Sequence, residues 1–189
     1  ARPEPSQVVV PDAHRLPPTP SGKRLVRSTL VTKGRCGQMT DLDVTRRGVV
    51  DPIVCTQQVD ADPVHAFEVF TERFGDWWDP LLTPDPSSYE GADVEEVEGG
   101  LVVLHHDGED YPIGEVLEWT IGERFAMTFH LSLPRDHPTE LGVEFEPSDG
   151  GTLVTLTHGG WEQDNVAQRS KFTQWPHLLA RFAAVAAES

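Results

Sequence analysis

The amino-acid sequence predicts an α+β fold in which an antiparallel sheet of about seven strands wraps a long C-terminal helix. Three observations support this fold class. A short strand runs directly into a capped helix near residue 62, six short strand-like segments follow between residues 88 and 158, and an amphipathic helix closes the chain. Turn signals rather than helices separate the six segments, so neighbouring strands are expected to be antiparallel.

The first strand and the first helix are joined by a tight turn. Residues 53–59 are rich in strand-favouring side chains and are followed by Asp60. Asp62 is suited to cap the next helix, and Pro63 fits its first position, where a missing N–H costs nothing. Apolar side chains then recur at helical spacing until Gly75, where the helix is expected to end. This apolar face consists of Ala66, Phe67, Phe70 and Phe74.

A pair of adjacent tryptophans follows the predicted helix. Trp77 and Trp78 are too large and too close together for both to enter one core from a regular element. We therefore expect one of them to line a groove or the mouth of a cavity. The surrounding loop, which runs from Gly75 to Pro86, is expected to be able to cover that cavity.

The segments after residue 86 are predicted to form an antiparallel meander. Gly, Asp and Pro residues mark the breaks between them. Their expected bounds are 88–97, 101–106, 111–119, 124–133, 140–146 and 152–158. Alternation within 124–133 predicts one apolar face, which consists of Phe125, Met127, Phe129, Leu131 and Leu133.

The last predicted element is a helix from Asn165 to about residue 187, with apolar residues stepping at three and four positions. Pro176 is expected to kink it, because the proline ring clashes with the preceding turn. The apolar stripe consists of Phe172, Trp175, Leu178, Leu179, Phe182 and Val185.

The start of the chain differs in composition from the rest. Six prolines fall within the first twenty positions and prevent a continuous helix there. Residues 1–38 carry a formal charge of +5 and residues 39–189 a charge of −21, for a total of −16. We expect residues 1–50 to be a flexible Pro/Arg-rich leader and residues 51–189 to be the folded domain. Because the composition changes at Met39, residues 1–38 are expected to be an extension, or a translated upstream region, that the fold does not need.

The charge and the cysteines restrict the classes of partner. A domain this acidic repels phosphate backbones and anionic lipid, so we expect no binding to nucleic acid or membrane. No apolar run approaches the ~18 residues of a membrane helix. Cys36 and Cys55 belong to no metal motif and are expected to be free thiols, which suits a cytoplasmic location. Docking of a basic protein partner on the acidic surface stays open.

Three stretches of the sequence carry a family resemblance. They are VDADPVHAFEVF at 59–70, GEVLEW at 114–119 and LTHGGW at 156–161. In order and spacing they resemble the START-like (SRPBCC) superfamily of helix-grip proteins, over residues 50–187. The branch is the bacterial one that is similar to the C-terminal domain of activators of the Hsp90 ATPase. The resemblance implies a curved sheet gripping the last helix, often with a cavity between them, but it leaves function open, because this fold hosts ligand carriers, cyclases and co-chaperones.

Histidines are the first candidates for chemistry. His105 and His106 are neighbours in a strand and point to opposite faces, so they are not expected to share a metal ion. His158 stands at a strand end beside Gly159. There an imidazole either faces a cavity mouth or is hydrogen-bonded within the turn. We predict no metal site and no cofactor.

Carboxylates on the sheet are the second candidates. If Leu117 and Trp119 face inward, Glu115 does so too, and burial would raise the pKa of its carboxyl enough for proton transfer. The other register places Glu118 inside and Glu115 in water. Phosphate-binding loops, nucleophile elbows, zinc-protease helices and dinucleotide fingerprints are all missing from the sequence, which favours binding over catalysis.

The favoured function is therefore binding of a hydrophobic or aromatic small molecule between the sheet and the last helix. Aromatic rings would supply area and stacking, while His158 and one sheet carboxylate would orient a polar group. Two alternatives stay open: an enzyme similar to polyketide cyclases and aromatases, with His158 or Glu115 as acid or base, and a co-chaperone that activates an Hsp90-type ATPase. The candidate lining residues are Trp77, Trp78, Trp119, Phe129, His158, Trp161, Phe172 and Trp175.

Overall fold

A computed structural model of the chain describes residues 50–134 and 136–188. The predicted leader up to residue 49, including Cys36 and Met39, lies outside the described residues. The described strands are β1 (Ile53–Val59), β2 (Tyr89–Val94), β3 (Leu101–His106), β4 (Glu109–Thr120), β5 (Arg124–Phe129), β6 (Thr139–Ser148) and β7 (Gly151–Gly159). The α-helices are α1 (Pro63–Glu72), α2 (Phe74–Trp77) and α3 (Trp175–Ala187), with short 3-10 helices at Pro80–Leu82 and Val166–Lys171.

The strands form one antiparallel sheet in the order β1-β7-β6-β5-β4-β3-β2. From β2 to β7 each strand pairs with the next along the chain, which confirms the predicted meander, and β1 closes the far edge beside β7. The sheet is a curled half-barrel, and α3 packs with α1 in its concave side. The predicted α+β helix-grip fold class is thus confirmed. In the described residues no helix is long and apolar enough to cross a membrane.

The start of α1 follows from its capping residue. The Asp62 carboxylate accepts hydrogen bonds from the backbone N–H groups of Val64 and His65, at 3.0 and 3.1 Å. Pro63 occupies the first helical position, where it forfeits no hydrogen bond. These contacts satisfy two of the orphan donors that every helix N-terminus exposes. The apolar face of α1 is buried against the sheet, as its spacing predicts.

The end of this helical region differs from the prediction. α1 stops at Glu72, and α2 runs through Gly75 instead of ending there. A Cβ on Gly75 would lie 2.9 Å from the backbone nitrogen and oxygen of Ala92. Gly75 therefore permits close packing of α2 on β2, and it does not terminate the helix.

The register of β4 resolves the question of the sheet carboxylates. A bulge falls between Val116 and Glu118, so the alternation changes phase inside the strand. Val116 is buried, whereas Glu115 and Leu117 are both exposed. The possibility of a buried Glu115 is therefore wrong. Glu118 is not an interior acid either, because its side chain is 39% exposed, and its carboxylate pairs with Arg124 at 2.6 Å.

The C-terminal helix is shorter than predicted. The segment after Asn165 forms a 3-10 helix as far as Lys171, and α3 begins only at Trp175. Pro176 consequently lies in the first turn of α3, where a missing N–H is tolerated, and it starts the helix instead of kinking it. The apolar stripe of α3 is buried in the grip of the sheet through Trp175, Leu178, Leu179 and Phe182.

A candidate aromatic binding site

A partly open cavity of about 100 Å³ lies at the N-terminal end of α3. Three regions build it: the turn after α2, the end of β5 with the loop that follows, and residues 171–178. β5 ends at Phe129, earlier than predicted, and Ser132 in the following loop adopts a left-handed φ of 61°. The apolar wall consists of Trp78, Leu82, Phe129, Leu131, Phe172, Trp175 and Leu178.

The structure brings half of the predicted site residues to this cavity. Trp78, Phe129, Phe172 and Trp175 line it. The rings of Phe129 and Phe172 meet edge to face with centroids 5.8 Å apart, and those of Phe129 and Trp175 do so at 5.7 Å. These edge-to-face contacts pack the three rings of the wall against one another.

The other predicted residues lie elsewhere. Trp77 packs in the core against Phe70, with ring centroids 4.7 Å apart, and its Nε1–H donates to the Phe70 carbonyl at 3.1 Å. Trp119 packs edge to face on Phe67 at 5.1 Å. Trp161 is fully buried and stacks at a tilt on the His158 ring, 4.5 Å away. His158 and Trp161 thus stand behind the cavity wall, not on it.

Hydrogen bonds connect the Trp77–Trp78 turn to α3. The Arg181 guanidinium donates to the carbonyl oxygens of Trp77 and Trp78, at 2.9 and 3.4 Å. His177 Nε2 lies 2.8 Å from an Asp79 carboxylate oxygen. The Leu81 backbone N–H, which donates to the same carboxylate, lowers the pKa of Asp79, and His177 adds to this effect. Trp78 is accordingly a fixed wall of the cavity.

The indole N–H of Trp78 is enclosed in the protein. Its side chain is buried, yet its Nε1–H has no hydrogen-bond partner among the described residues. A buried donor without a partner costs free energy, on the order of 1 to 3 kcal/mol. A ligand in the cavity reaches this N–H only after a neighbouring side chain moves, because the nitrogen atom is enclosed.

His158 sits in a hydrogen-bond chain whose direction is fixed by chemistry. The Trp175 indole only donates, so His158 Nδ1, which is 3.0 Å from Trp175 Nε1, must accept. The proton therefore resides on Nε2, which donates to the Thr139 hydroxyl at 2.7 Å. That hydroxyl donates in turn to the Phe129 carbonyl at 3.2 Å. Neutral His158 thus orients Trp175, one wall of the cavity.

Burial lowers the pKa of His158 to about 3, and the charge of Arg169 contributes to the shift. The imidazole is therefore neutral at pH 7, and both ring nitrogens are occupied by Trp175 and Thr139. These contacts suit a positioning role and not proton transfer to a ligand in the cavity.

The cavity rim contains residues that the sequence analysis did not select. Ser132, Lys171 and Gln174 are exposed side chains at the edge of the cavity. Leu178 was recognised as part of the helix stripe, but Ser132 and Lys171 show no periodicity or motif that would reveal them. Their proximity arises only when the end of β5 meets the segment that precedes α3.

A second cleft, of about 370 Å³, lies between the loop that precedes β2 and the hairpin that joins β3 to β4. His106 is buried there, and its Nδ1 is 3.0 Å from the Ser88 hydroxyl. His105 points to the other face of the sheet, as alternation predicts, where Asp110 and Asp93 accept from its ring and raise its pKa. Among the residues that the structure describes, no cluster of His, Cys, Asp and Glu is arranged to hold a metal ion.

The topology and the aromatic cavity define a helix-grip domain. Residues 60–187 match the sequence model of the family described as activator of Hsp90 ATPase homolog 1-like protein. The match spans most of the chain, so the protein belongs to this family, in agreement with the resemblance seen in its motifs. No curated protein matches the chain.

Solved structures show the same fold. Protein MLL2253 from Mesorhizobium loti is 14% identical with a TM-score of 0.57, over 73% of this chain and 98% of that one. The Aha1 dimer from Colwellia psychrerythraea is 18% identical with a TM-score of 0.54, over 72% and 96%. An anthrahydroquino-gamma-pyrone synthase, Txn09, complexed with SUM, is 32% identical with a TM-score of 0.52, over 72% and 97%.

Proposed function

We propose that this protein binds a planar aromatic small molecule in the cavity at the N-terminal end of α3. The observation that carries the proposal is the convergence of Trp78, Phe129, Phe172 and Trp175 from separate segments onto one open cavity. Flat aromatic walls with a few polar groups at the edge are typical of sites for aromatic ligands. The family fold is compatible with ligand binding.

The size of the cavity limits what enters without rearrangement. A volume of about 100 Å³ is below the ~300 Å³ at which drug-sized pockets begin, and a cavity of about 150 Å³ is known to hold benzene. The cavity therefore encloses only part of one ring, and the rest of the ligand extends through the open mouth. Further opening is expected at Phe172, since Trp78 and Trp175 are held by Arg181 and His158.

Nuclear magnetic resonance tests this proposal directly, because each indole N–H gives its own signal. Titration with 4-nitrophenol is expected to shift the signals of Trp78 and Trp175. The signal of Trp119, which lies away from the cavity, serves as the internal control and is expected to stay in place. Trp78→Ala should weaken binding by about 1 to 3 kcal/mol, the range for an aromatic contact at a binding site. Unmoved signals at Trp78 and Trp175 under a saturating probe concentration would refute the proposal.

A second candidate function is catalysis on a polyketide-derived aromatic compound. The observation that favours it is the 32% identity to the anthrahydroquino-gamma-pyrone synthase over 97% of that chain. Since Glu115 is exposed and His158 is enclosed, polar groups for such a reaction would come from the rim, at Ser132, Lys171 and Gln174. Chromatography of an anthrahydroquinone incubated with the protein tests for turnover. Binding without formation of a new product would support the binding function and speak against catalysis on this compound.

Activation of an Hsp90-type ATPase is the remaining alternative, and it follows from the family's description. The aromatic cavity does not favour it. An ATPase assay with an Hsp90-type chaperone, with and without this protein, separates the two functions. A rise in the ATPase rate that Trp78→Ala leaves unchanged would assign the activity to a surface other than the cavity.

A further inference from the structure

Lys171, at the rim of the cavity, differs from the other basic side chains that the structure describes. The described residues contain five Lys or Arg side chains, and the four arginines all have partners. Arg73 pairs with Asp76 at 2.7 Å, and Arg124 pairs with two carboxylates. Arg169 and Arg181 donate to backbone carbonyls. Within residues 50–134 and 136–188, the structure assigns no hydrogen bond or ion pair to Lys171.

This isolation is unusual because acidic side chains are abundant. The chain has 31 Asp and Glu against 15 Lys and Arg. The described lining of the cavity nevertheless includes no carboxylate, and Lys171 is its one charged member. A positive charge beside an apolar wall, in an otherwise negative protein, attracts an anion to that region.

The position of Lys171 is set by its backbone. It closes the 3-10 helix Val166–Lys171, directly before Phe172, whose ring forms part of the wall. Ser132 and Gln174 stand on the same rim and offer a hydroxyl and an amide N–H as donors. The rim therefore combines a cation with neutral hydrogen-bond donors next to an aromatic wall.

We propose that the ligand of this cavity is an anionic aromatic compound, a phenolate or an arylcarboxylate, whose ring contacts the aromatic wall while its charge is placed at Lys171. This inference rests on the proposed function and specifies the chemical class of the ligand. Lysine suits such an anion as a mobile point charge, and its long stem is able to follow the oxygen at the mouth.

The test uses 4-nitrophenol, since one molecule then presents the same ring in a neutral and an anionic form. Dissociation constants are measured across the pH range in which the phenol ionises. Because Lys171 is exposed, the phenolate is expected to bind about two- to fivefold more tightly than the phenol, the range for a solvent-exposed ion pair. The pKa of the bound probe then falls below that of the free probe.

Lys171→Gln is expected to abolish this preference, or to invert it, since only the negative field of the protein would remain. Arg73→Gln removes the same unit of charge at a residue that does not line the cavity, so it should retain the preference. Lys171→Met keeps most of the stem and should bind the neutral phenol as the wild-type protein does.

The other possible outcomes distinguish failure of the anion inference from failure of the proposed function. Equal binding of phenol and phenolate by the wild-type protein overturns the anion inference and leaves the proposed function standing. Loss of both forms in Lys171→Met also overturns it, because the ammonium group would then be needed for the neutral phenol as much as for the anion. Absence of binding of either form, with Trp78 and Trp175 signals unmoved, overturns the proposed function together with the inference.

Discussion

Acidification should destabilise this protein through His158. The imidazole is buried, its Nδ1 accepts from the Trp175 indole, and its pKa is lowered from 6.5 to about 3. Protonation of Nδ1 would place a second N–H opposite the indole N–H of Trp175, so that two donors face each other. It would also place a charge in an apolar interior. The folded state therefore resists a proton that the unfolded chain accepts readily.

The size of the effect follows from the two pKa values. Because the folded pKa is the lower one, the unfolded chain binds more protons between pH 6.5 and pH 3. The contribution of neutral His158 is fully present above pH 6.5 and declines as the pH falls through this window. The slope reaches about 1.4 kcal/mol per pH unit, and the full loss by pH 3 is about 4 to 5 kcal/mol.

Urea unfolding between pH 4.5 and 7.5 measures this slope, and His158→Gln isolates it. Carboxylates titrate in both proteins, so the difference between the two curves reports the histidine. Glutamine offers an oxygen to Trp175 and an N–H to Thr139, which preserves the hydrogen-bond chain. Whatever its stability at pH 7.5, the variant should lose about 2 to 3 kcal/mol less than the wild-type protein between pH 6.5 and 4.5. Parallel curves for the two proteins would refute the assignment of a buried, neutral His158.

Three further changes have defined outcomes. Leu179→Ala should lower the free energy of unfolding by about 2 to 5 kcal/mol, because the side chain is 1% exposed in the grip of the sheet; a loss below ~0.5 kcal/mol by urea titration would mean that the stripe is not core. Gly114→Ala would place a Cβ 2.0 Å from the Thr128 carbonyl oxygen and should destabilise far more than Gly142→Ala, whose nearest neighbour is an Arg124 nitrogen at 3.7 Å. Similar unfolding curves for the two alanine variants would contradict this. Removal of residues 1–38 should leave the melting temperature nearly unchanged; a drop above ~5 °C, which corresponds to about 1 to 2 kcal/mol, would show that they stabilise the domain.

Much of the fold could be predicted because local chemistry and long-range packing agree there. Asp62 and Pro63 specify the start of α1 by capping alone. The bounds of β1 and β3 match the sequence prediction, since turn residues flank strand-favouring ones on both sides. A meander pairs neighbours along the chain, so strand order follows once the strands are recognised.

The errors arise where one residue changes the phase or the role of its neighbours. The bulge at Leu117 has no signature in sequence, because alternation looks regular on each side of it. It alone decides that Glu115 faces water. Pro176 shows a similar ambiguity, because a proline kinks a helix that contains it but is tolerated in the first turn of a helix. Residues 172–174 form no regular structure, so α3 begins at Trp175 and Pro176 lies in its first turn.

Only half of the predicted site residues line the cavity, for a related reason. Aromatic side chains are easily recognised in the sequence, but the turn that carries Trp77 and Trp78 is positioned by Arg181, more than a hundred residues away, whose guanidinium donates to both carbonyls. Trp175 is likewise fixed by His158 from β7. Phe172 is held by ring contacts with Phe129 and His158, which are weaker and less directional than hydrogen bonds. The walls thus differ in stiffness, and a ligand larger than one ring should enter by displacing Phe172 while Trp78 and Trp175 stay in place.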